Sequence, residues 1–299
     1  MIYVLILMTL PIGGILIEAG TQFEHILKLL DDESPQIQKI VRTILLDNSA
    51  DIILDSKIHK YNLSEESQHH LSSTLEEIHF DMVTRAMMQL CKAQLEDIDL
   101  EKAVLLLAYW NNPEINIQEI VTNLDEMAAD IRKQLPLSGH PLSFIDIMNE
   151  ILFTDWGFKG NSEDYYNPEN SFIDRVLDTR KGIPISLSVL CILLAQRIGL
   201  PMVGIPMPAH FILKYDNGED EIFFDPFYEG KLYSREECVN YLEQAKIKNK
   251  DEILGGCTNY EIVARMMRNI QLVYSSYMEK PEKSNQAEEL LKLLDTFFK

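Results

Sequence analysis

Gly182-Ile183-Pro184-Ile185-Ser186-Leu187-Ser188-Val189-Leu190-Cys191-Ile192-Leu193-Leu194-Ala195-Gln196-Arg197-Ile198-Gly199-Leu200-Pro201 is the stretch that decides the fold. Pro184 stands where a first helical turn accepts proline, and Gly199 with Pro201 ends the run. Between them almost no polar face is left, so this helix is expected at the centre of a domain, buried on all sides. Strand-like runs follow at 202–205, 210–215 and 221–225, the last two joined by the turn signal Asp216-Asn217-Gly218. A buried helix followed by an antiparallel meander gives an α+β class.

Upstream of this stretch, residues 155–171 have loop chemistry, yet carry Trp156, Phe158, Tyr165 and Tyr166. A loop of that length in a compact domain is functional or disordered, and its aromatics argue that it is packed. Further back the periodicity is helical from Gln22 to Ile131, with an amphipathic stripe through Ile120, Val121, Leu124, Met127, Ala128 and Ile131. Another helix is expected from Leu142 to Phe153. Near the N-terminus, a helix through Phe23 to Leu30, an acidic turn with Pro35, and a stripe through Ile37, Ile40 and Val41 have the shape of a HEAT-like pair. No second copy recurs at fixed period, which favours a plain bundle. Downstream, Ile262, Met266, Ile270 and Val273 share one helical face, and Pro281 opens a last helix. The expected organisation is an apolar leader (1–17), a helical region (18–99), an α+β core (100–255) and a C-terminal helix pair (256–299).

Composition narrows the function. The 299 residues are 46% hydrophobic and 25% charged, with a formal net charge of −20. Such a surface repels phosphate backbones, so no nucleic-acid partner is expected. The best basic cluster, Arg175, Arg180 and Lys181, is interleaved with Asp174 and Asp178 and reads as a solvated helix face. The four cysteines form no C-x-x-C or zinc-finger spacing, which suits a reduced, cytoplasmic setting. His69 and His70 lie one turn from Glu65 and Glu66, a pattern far more common on solvated helices than at metals; no metal or cofactor is expected. Met1 to Ile17 carries no charge, and three readings compete for it: a misplaced translation start, which is favoured, a membrane anchor, or an export signal.

The hairpin suggests chemistry. If its loop is Asp216 to Glu219, Tyr215 opposes Asp220 and His210 faces Asp225, with Cβ atoms about 5 Å apart. A five-residue loop would make them diagonal neighbours. A carboxylate beside an imidazole orients it as a general base, although a His beside an Asp-Pro turn is also a common structural feature. The place for a nucleophile is the start of the buried helix, where the dipole lowers a thiol pKa. That place holds Pro184. Cys191 lies about 10 Å further along the axis in an apolar run. Ser186 is the hydroxyl near the helix start, and a capping role explains it equally well.

Five motifs now carry a resemblance: Gly157-Phe158-Lys159-Gly160-Asn161, Tyr166-Asn167-Pro168-Glu169-Asn170-Ser171, Gly182 to Ser188, Ala209-His210-Phe211 and Phe224-Asp225-Pro226. In order and spacing they resemble the SirB-one family over roughly residues 100 to 280. Glu261 to Ile270 resembles the opening of that family's C-terminal helical part. The resemblance implies a bacterial protein with a transglutaminase-like (papain-like) core, a buried helix on an antiparallel sheet, and tetratricopeptide-like helices after it. It also implies a regulatory label without an established reaction. The wider superfamily uses Cys, His and Asp in that chain order; His210 and Asp225 match the last two, while the Cys position falls near Pro184.

Two functions are therefore weighed. One is a non-catalytic interaction protein whose cleft binds basic or amphipathic protein segments, with Asn161, Tyr166, Asn167, Asn170, Pro184 and Phe211 shaping the groove and its loop. A membrane partner enters only if residues 1–17 act as an anchor. The other is a hydrolase or acyl-transferase acting on peptide-type amides through Ser186, His210 and Asp225.

Overall fold

The computed structural model describes Leu29 and residues 34–47, 65–93 and 96–299. Two compact units divide between Ala86 and Met87. In the first, helix α1 (Pro35–Asp47) opens on Pro35 as expected, and buries Val41. Helix α2 (Glu65–Ala93) contains the point of division. The leader, the helix expected at Phe23 to Leu30 with its HEAT-like pairing, and the side chains of Glu65, Glu66, His69 and His70 lie outside the described residues.

The second unit begins with three helices. α3 (Leu100–Asn111) is capped by Asp99, whose carboxylate accepts from the Lys102 N–H at 3.0 Å. α4 (Ile117–Gln134) buries the stripe Ile120, Val121, Leu124, Ala128 and Ile131. α5 (Pro141–Asn149) passes into a π-helical turn at Glu150–Asp155, so the helix expected from Leu142 to Phe153 changes its winding before it ends. Two short strands, β1 (Lys159–Gly160) and β2 (Lys181–Gly182), pair in parallel on either side of α6 (Ile173–Thr179).

Helix α7 (Pro184–Ile198) is the core. Every residue from Pro184 to Ala195 is buried, as the absence of a polar face requires. At its exposed end Arg197 forks onto Glu101 at 2.5 and 3.0 Å and reaches Asp125 at 2.7 Å, tying α7 to α3 and α4.

The meander follows in the order β3 (Met202–Ile205), β4 (Ile212–Asp216), β5 (Glu221–Asp225), β6 (Lys231–Tyr233), antiparallel throughout. Two expectations need correction. The strand proposed at 210–215 starts at Ile212, because Ala209 has a left-handed backbone (φ 54°) and the His210 N–H turns back to the Met207 carbonyl. The hairpin register is also shifted: Asp216 pairs with Glu221 and Leu213 with Phe224. The Asn217 side chain sets this loop, accepting from the N–H groups of Glu219 and Asp220 at 2.9 and 2.7 Å.

Helices α8 (Arg235–Gln244), α9 (Lys250–Gly255), α10 (Asn259–Ser276) and α11 (Pro281–Phe298) complete the unit. The last two are stitched to the core. Asp97 accepts from the N–H groups of Asn259 and Tyr260, the Trp110 indole donates to Gln286 at 2.9 Å, and Tyr274 bonds Asn111 at 3.0 Å. Among the described residues, no helix is long and apolar enough to cross a membrane.

Leu190 and Leu193 are at most 1% exposed. Replacing either with Ala is expected to cost about 2–5 kcal/mol in urea unfolding, through the cavity left behind. A change near zero would refute the central burial of α7.

Candidate functional site

The start of α7 is held by a chain of buried polar groups. Pairing of β1 with β2 brings the Asn161 N–H to the Gly182 carbonyl at 2.9 Å. The Asn161 amide donates to the Asn170 side chain at 2.9 Å, and Asn170 donates in turn to the Asp164 carbonyl at 2.7 Å. Ser186, in the first turn of α7, accepts from the Ile183 N–H at 3.0 Å and donates to the Asn170 carbonyl at 2.6 Å. Asn167 caps the 3-10 turn Pro168–Ser171, accepting from the Glu169 N–H at 3.0 Å and donating to Asp164 at 2.9 Å. The aromatic-rich loop is therefore ordered by its asparagines as well as its rings.

Opposite this helix start stands His210. Its Nε2 meets the Asp225 carboxylate at 2.6 Å, and the other oxygen of Asp225 accepts from the Phe227 N–H at 3.0 Å. Asp225 is fully buried, whereas the His210 side chain is partly open. With Asp225 ending β5 and His210 two residues before β4, the pair bridges a diagonal of the ladder rather than facing directly. The Nδ1 atom has no hydrogen-bond partner among the described residues, which leaves the imidazole oriented, with a free nitrogen.

Pro184 and His210 line one cavity of about 240 Å³, together with Tyr165, Tyr166 and Arg265. Phe227 and Tyr228 extend its mouth. The rings form a continuous rim: Tyr165 lies edge-on to Tyr166 at 5.3 Å and to Phe227 at 6.1 Å, and Phe227 contacts Tyr228 at 5.2 Å. Tyr166 also stacks on Tyr277 at 3.8 Å. Phe211 is buried beneath the cleft with the Arg265 guanidinium 5.5 Å from its ring.

The structure does not bring every candidate together. Ser186 is buried, its hydroxyl engaged in the cap, and among the described residues it makes no hydrogen bond with His210. The thiols are equally far from activation. Burial pushes Cys191 up strongly, and raises Cys91 and Cys238 to about 11 and Cys257 to about 12. Within the basic cluster, Arg175 is ion-paired, binding Asp178 at 3.0 Å and Glu169 at 3.3 Å, and Arg180 donates to the Trp156 carbonyl. Among the described residues, no cluster of three His, Cys, Asp or Glu side chains is placed to hold a metal. The sequence reading missed Tyr165, Phe227, Tyr228 and Arg265 as cleft residues. The first three adjoin the quoted motifs, and Arg265 lies inside Glu261 to Ile270, a stretch whose resemblance gives it no role in a cleft.

A family model described as the transglutaminase-like superfamily matches residues 118–268. The UPF0162 protein of Xylella fastidiosa (strain 9a5c) is 28% identical over 206 residues, spanning 67% of this chain and 73% of that protein. The UPF0162 protein of Vibrio cholerae is 29% identical over 185 residues, 60% of this chain and 68% of its own length. Human F-box only protein 21 is 31% identical over 201 residues, covering 57% of this chain but 31% of that protein. Sequences similar to this chain thus occur in bacteria and in human. No solved structure matches the chain significantly.

Two substitutions test the geometry. Pro184→Cys places a thiol at the first turn of α7, lining the same cavity as His210 with its free nitrogen. It should react with iodoacetamide at pH 6 faster than an exposed free cysteine, and lose that advantage in the Pro184→Cys, His210→Ala double variant. Equal rates would show that the two positions do not communicate. His210→Ala alone leaves an oxygen of the buried Asp225 without its partner, and should lower unfolding stability by about 1–3 kcal/mol.

Proposed function

The chain belongs to the transglutaminase-like superfamily, and from that premise we propose that it works as a non-catalytic interaction module whose cleft binds a peptide segment. One observation carries this reading. The helix start that would present a nucleophile to the oriented imidazole carries Pro184, while the paired His210 and Asp225 remain beside it. What is left is a shaped cavity with an aromatic rim, a chemistry suited to gripping side chains and an extended backbone.

The formal charge of −20 favours basic or amphipathic protein segments as partners and disfavours nucleic acid. Under this reading the SirB-one family name, the regulatory role and the cytoplasmic setting expected from sequence go together. Acyl transfer through Ser186 is the weaker alternative. A serine nucleophile needs its hydroxyl proton directed at the base, and that of Ser186 is directed at the Asn170 carbonyl at 2.6 Å.

Selection of random dodecapeptides against the full chain tests the reading. Binders should recover intact by mass spectrometry, and Tyr228→Ala should weaken them by about tenfold or more, since Tyr228 is 57% exposed at the rim. Binding indifferent to Tyr228→Ala and Tyr166→Ala would move the site elsewhere. Peptide cleavage lost in Ser186→Ala and His210→Ala alike would replace the interaction module with an enzyme.

A further inference from the structure

Arg265 differs from the arginines of the second unit that meet carboxylates: Arg197 with Glu101 and Asp125, Arg235 with Glu221 and Asp251, Arg175 with Glu169 and Asp178. Arg132 and Arg180 also donate to backbone carbonyls, but on the exposed surface, whereas Arg265 lines the cleft. Arg265 is partly buried on α10 and has no carboxylate partner among the described residues. Its Nη2 donates to the carbonyls of His210 at 2.6 Å and Met207 at 3.0 Å, which fixes the guanidinium plane over Phe211. The rest of the fork makes no hydrogen bond within the described chain, and these nitrogens are not sealed from solvent. Burial lowers the pKa of Arg265, and the nearby groups that act on it are Cys257, Tyr165 and Arg268, none of them a carboxylate.

Asn269 lies one helical turn further along α10 and lines the same cavity as Arg265, Tyr165 and His210. Its amide has no hydrogen-bond partner among the described residues, so the cleft wall presents unused donors from two neighbouring side chains. Because Nη2 is committed to the two carbonyls, the guanidinium offers its remaining N–H groups singly, so a carboxylate here would take one oxygen from Arg265 and the other from the free Asn269 amide, in a cavity lined by no carboxylate.

We propose that Arg265 and Asn269 form a carboxylate-anchoring subsite, so that the cleft takes a peptide presenting a carboxylate beside His210. This deepens and rests on the peptide-binding reading. It also refines the charge argument: basic residues of a partner are drawn by the acidic surface as a whole, while one carboxylate, at the C-terminus or on an Asp side chain, docks within.

Four probes separate the sources of that carboxylate on the full chain: acetyl-Lys-Ala-Phe with a free C-terminus, the same peptide as its C-terminal amide, and the C-terminal amides of acetyl-Lys-Asp-Phe and acetyl-Lys-Asn-Phe. Affinity is read by titration calorimetry, and the site by the Nε–H resonance of Arg265 in arginine-labelled protein. At least one carboxylate probe should bind about tenfold or more tightly than its neutral counterpart and shift the Arg265 signal. That preference should vanish in Arg265→Gln. Because Arg265 also holds two backbone carbonyls, Asn269→Leu is the second variant; it leaves those bonds in place and should reduce the preference several-fold. Acid and neutral probes binding equally, with both weakened by Tyr228→Ala, would overturn the subsite and leave the peptide cleft standing. Absence of binding by all four at millimolar concentration would overturn the subsite as well, with the dodecapeptide selection then deciding the fate of the cleft itself.

Discussion

The buried hydroxyl of Ser186 is the contact on which the cleft depends. A helix with no polar face must enter the core completely, and its first turn then has to satisfy N–H groups that water cannot reach. Ser186 does so for Ile183, and through its bond to the Asn170 carbonyl it fixes the Asn161–Asn170 network against the same turn. The fit leaves little room. A Cβ on Gly182 would come within 2.7 Å of the Ser186 hydroxyl, and one on Gly160 within 2.6 Å of the Phe227 ring. The helix start, the asparagine loop and the aromatic rim are therefore one packed unit.

Asp225 plays a comparable double part on the facing wall. One oxygen caps the turn that carries Phe227 and Tyr228, the other holds His210. The backbone between Met207 and His210 turns the ring out of the sheet, and Arg265 clasps both of those residues by their carbonyls. Orientation of the imidazole thus comes from local structure that the fold needs anyway. In a superfamily member whose helix start carries Pro184, such a dyad has a structural purpose of its own, which is the basis of the proposed binding role.

Much of this was legible in the sequence. Punctuation by Pro184 and Gly199 bounded α7, its missing polar face declared its burial, and β3 and β5 have the expected limits. The His210–Asp225 pairing was legible too, but for a partly mistaken reason. Turn residues were read as the loop itself, while the Asn217 side chain gathers Glu219 and Asp220 into it and moves the ladder along. Strand β6 was missed because three residues, Lys231, Leu232 and Tyr233, are too short for alternation to register. The cleft role of Arg265, inside the stretch Glu261 to Ile270, was hidden for a different reason. A charged residue on an amphipathic helix reads as solvated, and only tertiary packing shows that it faces a cleft without a carboxylate.

The central claim, that the cleft keeps an oriented imidazole without a nucleophile to serve, is tested most directly by intact mass after prolonged exposure of the full chain to a fluorophosphonate and to a peptidyl vinyl sulfone. The first captures base-activated serines and the second base-activated thiols. The account expects an unchanged mass with both. A single adduct per chain, mapped to Ser186 or to one of the four cysteines and abolished by His210→Ala, would contradict it.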